Sequence, residues 1–140
     1  MTRYCLDASF LLAWPLAGPG RKAARDILLS ASGSDELISP VLLWSEVTSS
    51  LRVGAYRGVI TRQAAMEALE HVLSLPIRPV HRDDIYSLAM DFGERLGWAK
   101  AYDALYLATA EIEGAHLLTL DRGLHEAAVC LGIPATLIAQ

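Results

Sequence analysis

Cysteine is scarce in this chain, and its sequence has no long uncharged apolar run. Cys5 and Cys130 are the only cysteines among 140 residues, and they show no metal-ligand spacing. Isolated cysteines favour reduced thiols and therefore a cytoplasmic protein. No apolar run approaches the roughly 20 residues that span a bilayer. The apolar stretch behind Arg3 contains Asp7 and precedes no A-x-A-like cleavage site, so we expect neither a signal peptide nor a membrane anchor.

Lysine is scarce as well. Lys22 and Lys100 are the only lysines, and the formal net charge at pH 7 is −4. A protein that binds nucleic acid through phosphate contacts alone is normally basic. If nucleic acid is the partner, a metal ion or a local basic patch must therefore offset the carboxylates.

The apolar content, by contrast, is high for a chain of this length. Hydrophobic residues make up 53% of the 140 residues, and the mean hydropathy is +0.31. Such a chain buries most of its apolar surface in one core without disulfides or a structural metal. We expect a single domain over residues 1–140, with apolar surface left over for a partner or a second copy of the chain.

Short apolar runs alternate with segments of helical period along the sequence. The runs RYCLD and HLLTLD are the strongest strand candidates and both end in aspartate, whereas ELIS, IRPV and ATLIA are weaker candidates. Strands that alternate with helices through short turns indicate a three-layer α/β domain. In it, helices flank a central, mostly parallel sheet of about five strands.

Several predicted helices have recognisable ends. Residue types that favour N-caps precede three of them: Ser39 followed by Pro40, Thr61, and Asp83 or Asp84. The first of these helices is predicted to run to about Arg57. Glycines at C-terminal cap positions follow three apolar-rich segments: Gly97, Gly114 and Gly132.

Two of the predicted strands end in aspartate, at Asp7 and Asp121. Sites in open parallel sheets form outside the carboxyl ends of the strands, so these carboxylates share a crevice if the strands are neighbours. Each aspartate also precedes a predicted helix, where an N-cap contributes roughly 0.5–2 kcal/mol. Taken alone, either residue is explained about equally well as a cap and as a ligand.

Two further acids lie early in predicted helices. Glu46 borders an apolar stripe, where a solvated glutamate is the simpler interpretation. Asp103 stands in the first turn of the otherwise apolar segment AYDALYLATAE. The helix dipole tolerates an aspartate there, but it does not explain why the rest of the turn is apolar. An acid on a buried helix should be paired or bound to a metal.

Together, the acids Asp7, Glu46, Asp103 and Asp121 predict a metal site. Neither lysine lies among them as a counter-charge, and unneutralised carboxylates raise one another's pKa. Because no histidine or cysteine shows ligand spacing, the expected cofactor is Mg²⁺ or Mn²⁺, as one ion or two. Such a site suits the attack of metal-activated water on a phosphodiester.

Two hydroxyl residues have matching positions beside these acids. Ser9 lies two residues after Asp7, and Thr119 lies two residues before Asp121. Each could orient a carboxylate or a water molecule from outside the ligand set. Ser9 also suits a helix cap, and Thr119 an ordinary strand position.

The segments LDAS, PVLLWSEVTSSL, AYDALYLATAE and LLTLDRGL occur in the order and spacing of PIN domains, and the chain most resembles the VapC-type toxins of bacterial toxin–antitoxin pairs. The resemblance covers essentially the whole chain. It implies a PIN-like fold in which Asp7, Glu46, Asp103 and Asp121 surround Mg²⁺ or Mn²⁺. It also implies endonucleolytic cleavage of structured RNA such as tRNA or rRNA.

The resemblance further implies two protein partners. One is a second copy of the toxin in a homodimer, and the other is an antitoxin whose tail fills the acidic groove. The hydroxyl positions of the family fall on Ser9 and, less directly, on Thr119. The uncharged TLD at residues 119–121 is a mild departure from the family motif, and no acid is missing.

Basic and aromatic residues carry weaker signals. Four basic residues could contact RNA phosphates: Arg21, Lys22 and Arg25 as the densest cluster, and Arg122 directly after Asp121. A solvated helix face explains the cluster more simply, and the last of the four could equally pair with a neighbouring acid. Four aromatic residues are interpreted as core or interface residues rather than as surfaces for base stacking: Trp44, Trp98, Tyr102 and Tyr106.

Two other functions compete with a nuclease. A non-catalytic binding module would keep the fold and the acids for its partner alone. A phosphoryl-transfer domain would use Asp7 or Asp121 as a phosphorylated nucleophile. Receiver-like folds need an aspartate on a middle strand and a lysine at a late strand end, and neither ELIS nor IRPV supplies that aspartate.

Overall fold

The computed structural model describes residues 1–31 and 33–138, in which five strands and seven helices occur. The strands are β1 (Arg3–Leu6), β2 (Glu36–Pro40), β3 (Ile77–Val80), β4 (His116–Thr119) and β5 (Ala135–Leu137). The helices are α1 (Ala8–Ala13), α2 (Arg21–Ser30), α3 (Leu42–Tyr56), α4 (Arg62–Ser74), α5 (Asp83–Leu96), α6 (Tyr102–Glu113) and α7 (Arg122–Leu131). None of these helices is long and apolar enough to cross a membrane.

The strands form one sheet in the order β3-β2-β1-β4-β5, and every neighbouring pair is parallel. β1 lies at the centre, where Cys5 pairs with Ile38 of β2 and with Leu117 of β4. Helices connect successive strands, which parallel pairing requires. The predicted three-layer α/β fold is confirmed, with a sheet that is wholly rather than mostly parallel.

The core lies on both faces of the central strands. Cys5, Leu6, Leu117 and Leu118 are all buried, as expected for parallel strands covered by helices on both sides. This explains why β1 and β4 give the strongest strand signals in the sequence. The run ATLIA forms a strand only over Ala135–Leu137, and its residue 139 lies outside the described residues.

The predicted helix start at Ser39 and Pro40 is wrong. Both residues belong to β2, and α3 begins at Leu42 after Val41, which makes no side-chain cap. Ser39 is fully buried, and its Oγ donates a hydrogen bond to the carbonyl oxygen of Leu6 at 2.7 Å. The hydroxyl therefore joins β2 to β1 instead of capping a helix.

The other predicted helix ends agree better with the structure. The Thr61 Oγ1 caps α4 by accepting a hydrogen bond from the backbone N–H of Ala64 at 3.0 Å. Asp83 is the first residue of α5 and not its cap, which is Arg82. Glycines in the left-handed conformation end α5, α6 and α7, as predicted: Gly97, Gly114 and Gly132.

Candidate metal centre

Two strand-to-helix junctions place Asp7 and Asp121 side by side. Asp7 joins β1 to α1, and its Oδ1 accepts a hydrogen bond from the backbone N–H of Phe10 at 2.9 Å. Asp121 joins β4 to α7, and its Oδ1 accepts from the N–H of Leu124 at 3.0 Å. Because β1 and β4 are neighbours, both carboxylates lie at the same edge of the sheet. Both are N-caps, so this simpler interpretation is confirmed without excluding a second role.

The hydroxyls of Ser9 and Thr119 link these two junctions. Ser9 Oγ donates to Asp7 Oδ1 at 2.8 Å and accepts from the N–H of Leu120 at 3.0 Å. Thr119 Oγ1 donates to Asp7 Oδ2 at 2.5 Å and accepts from the N–H of Asp121 at 2.9 Å. Each hydroxyl thus binds the carboxylate at the end of β1 and the backbone after β4. The arrangement fixes the orientation of Asp7.

Asp7 is the most deeply buried of the four acids, with 5% of its surface exposed. Burial is the main cause that raises its pKa from 3.8 to about 6, and the negative charge of Asp121 acts in the same direction. The hydrogen bonds from Thr119, Phe10 and Ser9 oppose this rise because they stabilise the ionised form. The effect of burial is larger than that of the hydrogen bonds, so ionised Asp7 makes the folded protein less stable.

Glu46 approaches the same edge of the sheet from α3. It is half-buried, and its Oε1 accepts a hydrogen bond from the phenol of Tyr106 at 2.5 Å. Burial raises the pKa of Glu46, the bond from Tyr106 lowers it, and the charge of Asp103 raises it. Glu46 is therefore not the freely solvated glutamate of the simpler interpretation, because it is bound to another helix.

The exposure of Asp103 differs from the burial that the sequence predicts. Helix α6 is buried at Ala104 and again from Tyr106 to Ala110, but Asp103 itself is exposed at the start of the helix. An exposed carboxylate does not require a metal or a pairing cation, so that step of the sequence argument is wrong. Partial burial still raises the pKa of Asp103, and the charge of Asp121 raises it further.

The four acids form one electrostatically coupled series. The charge of Asp121 raises the pKa values of Asp7 and Asp103, and that of Asp103 raises the pKa of Glu46. None of the ion pairs formed by the described residues includes any of the four. No ion pair among the described residues therefore neutralises the negative charge at this edge of the sheet.

Ion pairs gather instead at the opposite, amino-terminal edge of the sheet. Arg3 and Arg78 both bind Glu36, at the beginning of β2. Both arginines also approach the carboxylate of Glu113 at 3.8 Å. This network links β1, β2 and β3 to α6. Its two arginines lie away from the four acids.

The chemistry of the donor set, rather than a preformed cage, supports a metal ion. In the described part of the chain, no three acidic, histidine or cysteine side chains are close enough to hold an ion as they stand. Asp7, Glu46 and Asp121 are turned towards hydrogen-bond donors of the protein. All four acids offer only oxygen atoms, which Mg²⁺ and Mn²⁺ prefer, and an ion would relieve their mutual repulsion. The residues therefore fit such an ion by the chemistry of their donor atoms.

The basic residues considered for RNA contacts lie on two helices: Arg21, Lys22 and Arg25 on α2, and Arg122 on α7. Lys22 pairs with Asp26 at 2.9 Å, and Arg25 approaches the same carboxylate at 3.5 Å. Such local pairing is typical of a solvated helix face. Arg122 begins α7, is exposed, and makes no ion pair with another described residue.

Tyr106 is a site residue that the sequence argument assigned to the core or an interface. Its ring is 1% exposed, which agrees with a core position, but its hydroxyl binds Glu46. Burial and that bond raise its pKa far above the ordinary value. The sequence does contain a signal for this role, which is a tyrosine one turn after Asp103 in an otherwise aliphatic helix. A buried phenol needs a hydrogen-bond partner, so such a tyrosine is expected to bind a polar group.

Family and structural comparisons agree with the fold described above. The PIN domain family matches residues 4–129. The chain belongs to the PIN domain family. A comparison with curated protein sequences finds no match.

Solved PIN-like structures include several toxin–antitoxin proteins. VapBC2 from Rickettsia felis, bound to a DNA fragment from its promoter, is 12% identical with a TM-score of 0.72, over 96% of this chain and 98% of that one. VapC20 from Mycobacterium tuberculosis, a toxin that cleaves the sarcin–ricin loop, is 22% identical with a TM-score of 0.62, over 89% and 94%. PAE2754 from Pyrobaculum aerophilum is 25% identical with a TM-score of 0.69, over 90% and 84%. The two toxin–antitoxin likenesses show a shared fold.

Proposed function

We propose that this PIN domain is a metal-dependent endoribonuclease, the toxin of a type II toxin–antitoxin pair, and that it cleaves structured RNA such as tRNA or rRNA. The observation that carries this proposal is the series of four acids at the carboxyl edge of the sheet, whose charges affect one another and which form no ion pair with the described residues. VapC20 and VapBC2 support the assignment by their fold.

In this proposal, Asp7, Glu46, Asp103 and Asp121 hold one or two Mg²⁺ or Mn²⁺ ions. A bound ion would supply water activation and charge neutralisation at the phosphodiester. The protein supplies orientation. Ser9 and Thr119 hold Asp7 from both sides, and Tyr106 holds Glu46. Carboxylates held in this way lose little rotational freedom when a ligand arrives, which favours a defined geometry.

The proposed partners are a second copy of the chain and an antitoxin. Apolar side chains remain exposed on the described surface, including Val41 and Met90, and protein partners commonly cover such residues. The acidic edge would attract an arginine from an antitoxin as readily as a metal ion. VapBC2 contains toxin and antitoxin together. A cytoplasmic location fits a toxin that acts on tRNA or rRNA.

The test is RNA cleavage by purified, antitoxin-free protein. Total tRNA and rRNA are incubated with the protein in Mn²⁺ or in EDTA, and the wild type is compared with Asp103→Asn. A matched control is Asp83→Asn, because Asp83 is also an exposed aspartate in the first turn of a helix. We expect cleavage by the wild type and the control in Mn²⁺ only, and none by Asp103→Asn.

The other outcomes identify what is wrong. Cleavage that persists equally in Asp103→Asn points to a contaminating nuclease and removes the main support for the proposal. A wild type that binds Mn²⁺ but cleaves neither tRNA nor rRNA contradicts the proposed substrates. A wild type that neither binds Mn²⁺ nor cleaves RNA favours the non-catalytic binding module.

A further inference from the structure

A polar cleft of about 500 Å³ opens beside Glu46 and Asp103. Its other wall is the connection from α5 to α6, residues 97–100, followed by Tyr102 at the start of α6. Two of the four acids therefore share a cleft with a cation, Lys100, and with two aromatic residues, Trp98 and Tyr102. Its volume lies within the roughly 300–1,000 Å³ typical of small-ligand pockets. Such a space is large enough for a single nucleotide.

Tyr102 contributes the aromatic surface of this cleft. Its side chain is 60% exposed, although Tyr106 one turn later is fully buried. Of the two predicted positions for Tyr102, the core is therefore wrong, and the interface stays a prediction. The ring makes no hydrogen bond or ring contact with another described residue. An aromatic face is thus free in a cleft lined by two candidate ligand residues. Stacking on such a face is how proteins hold unpaired bases.

Lys100 contributes the cation. It is exposed, and it forms no ion pair with Glu46, Asp103 or any other described residue. The other lysine of the chain, Lys22, is paired with Asp26 at 2.9 Å. Lys100 is therefore a lysine whose charge is still available for a phosphate. It lines the same cleft as Tyr102, two residues along the chain.

We propose that this cleft is a subsite for one unpaired RNA nucleotide, whose base stacks on Tyr102 and whose phosphate binds Lys100. The inference rests on the proposed ribonuclease function. It deepens that function by naming the form of the substrate, because the base must be unpaired where it enters the protein. A nucleotide held here lies next to the phosphodiester that reaches the four acids, so the subsite selects which bond is cleaved.

A second copy of the chain is the competing occupant. Tyr102 also borders two apolar depressions, which it shares with Tyr86 and Leu105. The cores of protein–protein interfaces are depleted of charged residues, whereas the cleft contains Lys100 and two carboxylates. Lys100, which also borders one of these depressions, favours a nucleotide phosphate once a metal ion offsets the two carboxylates, and the test below includes the oligomeric state.

The experiment measures the binding of RNA in Ca²⁺ at low salt, because Ca²⁺ also binds carboxylate oxygens and offsets the four acids, and gel analysis afterwards checks that the RNA is intact. The probe is a short single-stranded RNA with one 2-aminopurine, compared with the same RNA annealed into a duplex. We expect Tyr102→Ala to weaken binding of the single strand by roughly 5- to 150-fold, and to leave duplex binding unchanged. Quenching of 2-aminopurine fluorescence, which reports stacking, should occur with the wild type and with Tyr102→Phe and be lost in Tyr102→Ala.

Two further variants test specificity. Tyr56→Ala is the matched control, because Tyr56 is 78% exposed and does not line the cleft. It should bind the single strand as the wild type does. Lys100→Gln should make the slope of log K against log salt shallower by about 0.7, as expected for the loss of one contact to a single-stranded phosphate.

Failure of the subsite and failure of the ribonuclease proposal give different results. If the wild type cleaves RNA but Tyr102→Ala binds and quenches the probe unchanged, the subsite is wrong and the nuclease stands. If Tyr102→Ala changes the mass in solution from dimer to monomer, Tyr102 belongs to the contact between copies, and the subsite is overturned. If the wild type binds neither RNA, the subsite is contradicted, and the cleavage assay in Mn²⁺ decides separately whether the ribonuclease proposal stands.

Discussion

Replacing Asp7 by asparagine should stabilise the metal-free protein at neutral pH. Asp7 is 5% exposed, and burial raises its pKa from 3.8 to about 6. A group whose pKa is higher in the folded state contributes its full stability below pH 3.8 and loses it as the pH rises through about 6. At pH 7 the ionised carboxylate therefore opposes folding, and a neutral side chain removes that opposition.

The two pKa values set the size of the effect. At about 1.4 kcal/mol for each pH unit between 3.8 and about 6, ionisation of Asp7 lowers the free energy of unfolding by at most about 3 kcal/mol. Asparagine keeps one acceptor for Ser9 and Phe10, but its amide nitrogen faces the Thr119 hydroxyl, so part of the gain is lost. We expect a net stabilisation of about 1–2 kcal/mol at pH 7.

Urea unfolding in EDTA at several pH values between 4 and 7 measures this directly. The difference in unfolding free energy between Asp7→Asn and wild type should grow in favour of the variant as the pH rises. Asp83→Asn, at an exposed position, is the control for a general change in net charge and should show no such trend. If Asp7→Asn loses the same stability at every pH, the carboxylate is an ordinary stabilising cap and the argument from burial is refuted.

Three other predictions concern single groups. Tyr106→Phe should lower the free energy of unfolding by about 1–2 kcal/mol, because half-buried Glu46 loses its hydrogen-bond donor. Urea unfolding in EDTA measures this, with a Tyr→Phe variant at an exposed position as the reference. An unchanged free energy of unfolding would contradict the hydrogen bond from Tyr106 to Glu46. Thr119→Val should raise the pKa of Asp7 further, because it removes a hydrogen-bond donor to the ionised carboxylate. The variant should therefore lose more stability at pH 7 than at pH 4. An equal loss at both pH values would contradict the stabilisation of ionised Asp7 by Thr119. In the native protein a thiol reagent should modify exposed Cys130, whereas buried Cys5 should react only after unfolding. Two fast-reacting thiols in the native protein would contradict the burial of Cys5.

The sheet and its two acidic strand ends could be predicted from the sequence because local signals and tertiary structure agree there. β1 and β4 are buried on both faces, so their residues form continuous apolar runs. Asp7 and Asp121 follow them directly, and adjacency of the two strands brings the acids together. The hydroxyl positions of Ser9 and Thr119 could be predicted for the same reason.

The remaining features depend on tertiary contacts that local patterns do not contain. Ser39 and Pro40 have the composition of a helix start, but a buried bond from Ser39 to β1 keeps them in the sheet. Asp103 was predicted on a buried helix, yet the first two residues of that helix, Tyr102 and Asp103, are exposed. Tyr106 binds Glu46 across sixty residues of sequence, a pairing that no helical period reveals.

The central claim is that the four acids hold a divalent metal ion, and calorimetric titration of purified protein with Mn²⁺ tests it without any assumption about the RNA. We predict saturable binding to the wild type that is weakened at least about tenfold, or by about 1.4 kcal/mol, in Asp103→Asn, with Asp83→Asn unchanged. Absence of Mn²⁺ binding by the wild type, or equal binding by Asp103→Asn, would contradict the account.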